Sequence, residues 1–311
     1  MHHVTHVTAP LPSGSGAADP GAERRVPTLA DVVGVLEHLY DPAWARDWDR
    51  VGLVCGDPAA PVRRVMLAVD PAASVVEDAL DWHADLLLTH HPLLLRGVHS
   101  VAATSAKGRI VHQLVRAGCA LYTAHTNADV AVPGVSDALA RVMGLTDLRP
   151  LLPDLDPAGQ PAGGRGLGRI GRLAAPTTLR EFAMLVAEVL PASAQGVRIA
   201  GDPGCVIESV AVSGGAGDDL LAAARSAGVD VFVTADLRHH PAGELREEVG
   251  EAPPFLIDVS HWSSEWPWLA GVANRLEGEL EAAGSPVEVQ VSTRCTDPWT
   301  FRVPSPGGIV R

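Results

Sequence analysis

The stretch DLLLTHHP, residues 85–92, places two adjacent histidines at the end of an unbroken apolar run. A short apolar run that stops at Pro92 is typical of a buried strand in an α/β sheet. Sheets of this kind deliver functional side chains at the carboxyl ends of their strands. We therefore predict a strand over residues 85–89 that directs His90 and His91 towards a metal ion.

Two other apolar runs end in a histidine that is followed four residues later by a carboxylate. Residues 119–122 lead to His125 and Asp129, and residues 254–257 lead to His261 and Glu265. If the backbone turns into a helix after each run, residues four apart share one face of that helix. Imidazole and carboxylate ligands together suit Zn, Mn, Fe, Co or Ni. The spacing therefore predicts that these side chains converge on a divalent metal.

The number of donors exceeds what one tetrahedral ion needs and falls short of two saturated ions. This count predicts two divalent ions per chain with open coordination positions, bridged by Glu265. His125 is either a further site residue or a group that holds a water or a ligand carboxylate. Glu265 and His125 are the candidate catalytic residues. The predicted metal ligands are His90, His91, Asp129, His261 and Glu265.

Other polar residues near strand ends have simpler interpretations. Asp49 and Asp70 could belong to the site, but we interpret them as caps. His240 could point into the cleft, but an ordinary loop histidine is the favoured interpretation.

Composition and charge restrict the class of protein. The 311 residues are 47% hydrophobic, with a mean hydropathy of +0.14, which is enough for one large or two medium globular domains. No apolar run reaches the roughly 18 residues that span a bilayer, so we expect a soluble protein with no membrane partner. The formal net charge of -13 makes nucleic acid an unlikely partner. Four dispersed cysteines without a C-x-x-C motif fit a reducing cytoplasm.

Strand and helix patterns alternate from residue 64 to residue 143, as in a parallel or mixed sheet. The second half repeats this alternation, and its strand over residues 230–234 leads to His239 and His240 as the first half leads to His90 and His91. We infer an internal duplication with the site between two lobes. The predicted division is a disordered tail at 1–26, a first α/β lobe at 27–150, a linker at 151–168 and a second α/β lobe at 169–311, with residues 255–311 packing across the cleft.

Two local features are excluded from the site. The histidines of the predicted tail lack a fixed geometry. Gly166, Gly168 and Gly171 spell the dinucleotide-binding pattern G-x-G-x-x-G, but they follow a Pro- and Gly-rich stretch instead of a strand. We interpret them as a loop that leads into an edge strand.

Six stretches, together with their order along the chain, resemble the Nif-three-like proteins, known also as GTP cyclohydrolase 1 type 2 homologues. The resemblance runs from Pro27 to Trp299, and its histidine-containing blocks are highly specific. The six stretches are VGLVCGDP (51–58), LLLTHHPLL (86–94), YTAHTNADVAVPGVSDALA (122–140), GLGRIGRL (166–173), VFVTADLRHH (231–240) and LIDVSHWSSEW (256–266).

The resemblance implies two related α/β lobes, a toroidal homohexamer and a dinuclear divalent-metal centre in the cleft between the lobes. It carries the family's metal ligands onto the five residues named above, with Glu265 spanning both ions. Arg50 stands where the family commonly has Asn, and Ala235 where it usually has Gly. These departures affect no ligand, but they put substrate contacts from those loops in doubt. The chain also has no room for the inserted domain of longer members.

Two functions are compatible with this site. The first is a hydrolase in which a metal-bound hydroxide attacks a small anionic or nucleotide-like substrate. The family name suggests opening of the GTP purine ring, although no base-recognition motif stands out in the sequence. The alternative is a hexameric metal-binding or metal-handling scaffold that binds a partner and performs no chemistry.

Overall fold

A computed structural model describes residues 25–303 of the chain. The predicted tail at 1–26 lies almost entirely outside these described residues. The described part contains two β-sheets, one of five strands and one of six. Strands and helices are numbered below along the chain.

The first sheet has the strand order β1-β4-β3-β2-β11. Strands β2, β3, β4 and β11 run parallel, and β1 pairs antiparallel with β4. The alternation predicted for the first lobe is confirmed, since a helix follows each of β2 and β3. The strands are β1 Gly52–Cys55, β2 Arg64–Ala68, β3 Leu86–Thr89, β4 Ala120–Thr123 and β11 Glu288–Val291. The helices are α1 Leu29–Leu39, α2 Ala73–Asp81 and α3 Ala106–Ala117.

The second sheet has the order β5-β6-β8-β9-β10-β7, and β8, β9 and β10 form its parallel centre. The strands are β5 Thr146–Leu155, β6 Pro161–Thr178, β7 Arg198–Ala200, β8 Val206–Ala216, β9 Val231–Ala235 and β10 Phe255–Val259. Its helices are α6 Leu179–Val189, α7 Leu221–Ser226 and α8 His239–Val249. The series β8-α7-β9-α8-β10 repeats the series β2-α2-β3-α3-β4 of the first sheet.

Three further helices connect the sheets. These are α4 Thr126–Val130 and α5 Val135–Val142 after β4, and α9 His261–Ala282 after β10. Helix α9 leaves the second sheet and buries Trp268, Leu269 and Val272 in the apolar core of the first. Strand β11 then pairs with β2. The residues from α9 to β11 therefore complete the first lobe.

The sequence pattern predicts a linker over residues 151–168, but these residues form the end of β5, a turn over 156–160 and the first part of β6. The two strands form a hairpin in which Leu152 pairs with Leu167. Backbone hydrogen bonds hold this ladder, so its glycines and prolines hide the usual strand pattern without preventing pairing. Gly166 is required there because a Cβ would lie 2.3 Å from the carbonyl oxygen of Leu152. The glycine pattern thus lies within a strand, and no helix follows it directly.

Two helix starts follow from local sequence. The side chains of Thr28 and Thr178 cap α1 and α6, and each forms a reciprocal capping box with the carboxylate three residues later. Among the helices of residues 25–303, none combines the length and the apolar character that crossing a membrane requires.

Candidate metal centre

The predicted ligands meet where strands of both sheets end. His90 and His91 directly follow β3. After β4, His125 precedes the first residue of α4 and Asp129 lies within that helix. After β10, His261 and Glu265 occupy the first two turns of α9. Helical backbone after β4 and β10 brings each histidine near the carboxylate four residues on. The site therefore lies between the two sheets, and α9 carries His261 and Glu265 from the end of the second sheet while packing on the first.

Glu265 lies at the centre of these side chains, and only 3% of its surface is exposed. Its Oε1 is 3.0 Å from Nε2 of His261 and 3.5 Å from Nε2 of His90, and its Oε2 is 3.1 Å from Nε2 of His91. His90 Nε2 is also 3.6 Å from Oδ1 of Asp129. One carboxylate thus faces three imidazole nitrogens with its two oxygens.

Two groups of three donors have mutual distances within 4.8 Å. The first comprises His91, His261 and Glu265, and the Nε2 atoms of its two histidines are 3.3 Å apart. The second comprises His90, His91 and His125. Asp129 belongs to neither group and approaches the centre through His90. Either group has the nitrogen-rich donor set that Zn, Fe, Co or Ni accepts.

The second ring nitrogen of each histidine is held by an oxygen atom. An Nδ1–H that donates to such an oxygen leaves the lone pair of Nε2 facing the centre, as in many metal sites. The four Nδ1 contacts are His90 to Ala124 O at 2.9 Å, His91 to Asp70 at 2.7 Å, His125 to Asp49 at 2.8 Å and His261 to Asp236 at 2.7 Å.

The interpretation of Asp49 and Asp70 as caps is incomplete, because both carboxylates orient site histidines. Asp49 also accepts the backbone N–H of Thr126 at the start of α4, as a cap does. Asp70 instead faces His91. The sequence pattern does not distinguish Asp236 as a site residue. Its backbone φ of 55° is uncommon for a residue other than glycine, and such backbone is frequent at functional sites. Asp70 can be found from topology, since it stands two residues after the end of β2, and β2 pairs with β3, which His91 follows at the same distance.

Electrostatics favour positive charge at the centre. Burial disfavours the imidazolium form of His91, but Glu265 and Asp70 outweigh it and raise the pKa of His91 to about 10. Glu265 and Asp236 likewise overcome burial and raise the pKa of His261 to about 11. Burial alone would keep Glu265 neutral, yet His91, His261 and His90 hold its pKa well below the ordinary value.

The donor atoms fit a bound divalent metal. His90 Nε2 and Glu265 Oε2 are buried, and neither makes a hydrogen bond with any residue from 25 to 303. Buried polar atoms are normally paired, so two atoms that each offer a lone pair side by side indicate a cation between them. Nitrogen and carboxylate oxygen are the atoms that Zn, Mn, Fe, Co and Ni bind in proteins.

His125 and His240 differ in their positions. The ring of His125 lies 5.2 Å from that of His90 and 5.5 Å from that of His91, between centroids. The Trp48 ring approaches it edge-on at 6.0 Å. His240 is exposed in the first turn of α8, and its ring meets that of His239 edge-on.

Glycine at position 215 makes room for the central carboxylate. Gly215 has a φ of +71°, and a Cβ there would lie 2.5 Å from Oε1 of Glu265 and 3.2 Å from Nε2 of His261. A side chain would therefore occupy the space in which these two groups meet.

Comparison with known proteins gives a consistent result over most of the chain. The family model described as Duf34/NIF3 (NGG1p interacting factor 3) matches residues 27–298. A Streptomyces coelicolor protein named GTP cyclohydrolase 1 type 2 homolog is 50% identical over 280 residues, covering 90% of this chain and 96% of that protein. A Mycobacterium bovis protein of the same name is 39% identical over an alignment of 374 residues, covering 88% and 97%. That alignment is longer than this chain, so the relative contains residues that this chain lacks.

Two solved structures share the fold. The Staphylococcus aureus hypothetical protein SA1388 has a TM-score of 0.81 and 28% identity, covering 89% of this chain and 100% of that one. Reduced HcgD from Methanocaldococcus jannaschii has a TM-score of 0.68 and 25% identity, covering 86% and 99%.

Proposed function

Because the chain belongs to the Duf34/NIF3 family, we propose that it is a metal-dependent hydrolase of a small anionic, nucleotide-like substrate. It holds two divalent ions per chain in the cleft between its sheets. The observation that carries this proposal is the position of Glu265, a buried carboxylate that faces His90 and His261 with one oxygen and His91 with the other. A carboxylate approached from several sides is suited to bridge two ions.

The remaining ligands divide between the two ions. His90 and Asp129 would hold one ion, because their donor atoms are 3.6 Å apart. His91 and His261 would hold the other, because their Nε2 atoms are 3.3 Å apart. When bound, two such ions polarise the electrophilic centre of a substrate and make water a better nucleophile at neutral pH. The donor set accepts Zn, Mn, Fe, Co or Ni.

His125 is the proposed proton carrier. Its Nδ1 is 2.8 Å from Asp49, whose other carboxylate oxygen accepts hydrogen bonds from the backbone N–H and the hydroxyl of Thr126. This support fixes the ring and leaves Nε2 to hold or release a proton beside His90 and His91. His125 therefore supports the reaction without belonging to the ligand set.

The test compares hydrolysis by metal-loaded protein and by the Glu265→Gln variant on GTP and a panel of phosphoesters. We expect wild-type turnover of at least one compound and a loss of more than about 100-fold in the variant, since even groups that only orient ligands contribute 10–100-fold. The matched control is Glu279→Gln, because Glu279 is exposed on the same helix α9. Metal content is measured on all three proteins.

Equal trace rates for the wild type and Glu265→Gln on every compound would exclude the hydrolase. If such protein still held its metals, the non-catalytic metal-binding scaffold would be the better description. Fewer than one divalent ion per chain, after purification from metal-supplemented medium, would contradict both functions.

The proposal includes a homohexamer in the cytoplasm, which rests on the family resemblance and on the composition. All four cysteines are free thiols, as a reducing compartment allows. Light scattering checks the assembly against six copies of a 32.5 kDa chain.

A further inference from the structure

The last described segment, residues 292–303, crosses from the first sheet to the second beside the metal centre. We call it the C-terminal strap. It follows β11, and Arg294 and Thr296 tie its first half to Asp78 and Asp70 of the first lobe. At its far end Arg302 donates from Nη1 to the backbone oxygen of Gln195 in the second lobe, at 3.2 Å. The strap is therefore held at both ends next to the cleft.

Two neighbouring cavities lie between the strap and the lobes. The inner cavity, about 300 Å³, is lined by His91 and His261 of the candidate metal centre together with Trp299. The outer cavity, about 480 Å³, is lined by Arg198, Phe301, Arg302 and again Trp299. Gln195 and Asp236 also line both. A molecule at Trp299 can therefore extend towards the metal centre on one side and towards the two arginines on the other.

Two aromatic rings are exposed on this short strap. Trp299 is 67% exposed and Phe301 is 78% exposed. Aromatic residues make up only 4% of the chain, so two within three positions beside a cleft are a marked concentration. Large apolar side chains exposed at the rim of a cleft commonly contact a ligand. Flat rings of this kind bind planar heterocycles by stacking.

The charged side chains of the two cavities differ, although Asp236 lines both. The inner cavity contains the carboxylates of Asp70, Asp236 and Asp297, which suit a region that holds cations. The outer cavity contains two guanidinium groups. Arg198 uses Nε and Nη2 for Asp258, and its Nη1 has no hydrogen bond within residues 25–303. Among the described residues, Arg302 makes one hydrogen bond, from Nη1 to the backbone oxygen of Gln195. Guanidinium groups placed in this way suit phosphate.

We propose that the strap forms a binding site for a phosphorylated aromatic heterocycle. The ring stacks on Trp299, where the two cavities meet, and Phe301 borders it. The phosphate lies in the outer cavity against Arg302 and Arg198, so the edge of the ring faces His91 and His261. This site rests on the proposed function, since it presents the heterocyclic part of the substrate to the metal centre.

The test measures dissociation constants by titration calorimetry on metal-loaded protein, with GMP, guanosine and ribose 5-phosphate as probes. We expect Trp299→Leu to weaken GMP and guanosine binding about tenfold, as the loss of one stacking partner does, and to leave ribose 5-phosphate unchanged. Trp299→Phe keeps a ring and retains most of the affinity. Arg302→Gln weakens both phosphates up to about fivefold, the scale of an exposed ion pair, and leaves guanosine unchanged.

The matched control is Val303→Ala, because Val303 is 80% exposed on the same strap and lines neither cavity. Phe301→Leu gives a second ring removal, and metal content together with circular dichroism reports folding of each variant. The site is overturned if wild type does not bind GMP saturably, or if Trp299→Leu, Phe301→Leu and Arg302→Gln all bind GMP as wild type does.

The two proposals fail in different ways. Ring-dependent GMP binding without turnover of any compound would retain the strap site and exclude the hydrolase. If turnover depends on Glu265 but Trp299→Leu has the same KM for nucleotides as wild type, the hydrolase is retained and the strap site is excluded.

Discussion

At the scale of single residues, the centre balances one buried carboxylate against several histidines. Glu265 stays ionised although it is buried, because His91, His261 and His90 surround it. The same carboxylate, with Asp70 and Asp236, raises the pKa values of His91 and His261 well above the ordinary value of an imidazole. Protons and metal ions therefore compete for the same nitrogen atoms.

This competition predicts that metal binding releases protons. With pKa values of about 10 for His91 and about 11 for His261, both side chains are imidazolium cations, protonated on both ring nitrogens, in metal-free protein at pH 8. A ligand nitrogen must be deprotonated, so each ion that binds displaces protons and the affinity rises as pH increases from 6 to 9. Calorimetry of Zn²⁺ binding in two buffers of different ionisation enthalpy measures the release, which we expect to be about two protons per chain.

The buffer comparison contains its own control, because the intrinsic enthalpy is common to both titrations. Equal heats in the two buffers, or an affinity that falls with rising pH, would contradict the assignment of His91 and His261 as ligands. Metal-free protein at pH 5 is expected to bind Zn²⁺ weakly, since the histidines are then protonated in both the folded and the unfolded chain.

At the scale of elements, the glycine turn at the end of β8 determines whether α9 can place its ligands. Substitution of Gly215 by Ala has two consequences. An Ala there must adopt a φ of +71°, and its Cβ would lie 2.5 Å from Oε1 of Glu265. We expect Gly215→Ala to displace Glu265 and to remove most of the bound metal, measured as ions per chain after dialysis.

The control for Gly215→Ala is Gly228→Ala. Gly228 has a similar φ of +66°, but a Cβ there would meet no atom within 4 Å. Both variants therefore pay the same cost of about 1–2 kcal/mol for left-handed backbone, and only Gly215→Ala crowds the site. If both variants kept full metal content, the absence of a side chain at Gly215 would not be required for metal binding by Glu265.

The elements also differ in how far the sequence predicts them. The apolar runs of β2, β3 and β4 alternate with amphipathic helices, and these strands lie as expected. The histidine and carboxylate pairs at strand ends likewise led to the residues that meet in the cleft. The β5–β6 hairpin was missed because glycine and proline carry no alternating pattern, and its order comes from backbone pairing. Asp70 and Asp236 act through neighbours that are distant in sequence, which no local spacing reveals.

At the scale of the whole molecule, the two lobes are joined by α9 and by a buried ion pair. Arg169 on β6 is only 1% exposed and lies 2.7 Å from the carboxylate of Asp137 on α5. The guanidinium also donates to the backbone oxygens of Gly166, Gly168 and Ala131. The carboxylate of Asp137 accepts the backbone N–H of Gly134. This group fixes the hairpin of the second sheet against the segment that follows α4.

We expect this ion pair to stabilise the assembled lobes. Arg169→Met leaves Asp137 buried without its partner and Ala131 O without its donor, so we expect a loss of about 3–5 kcal/mol in the free energy of unfolding. Arg172→Met is the matched control on the same strand, because Arg172 and Glu208 form an exposed pair in which about half of each side chain is accessible. Its loss should cost no more than about 1 kcal/mol. Urea unfolding followed by circular dichroism measures both values, and equal costs for the two variants would show that the buried pair does not hold the lobes together.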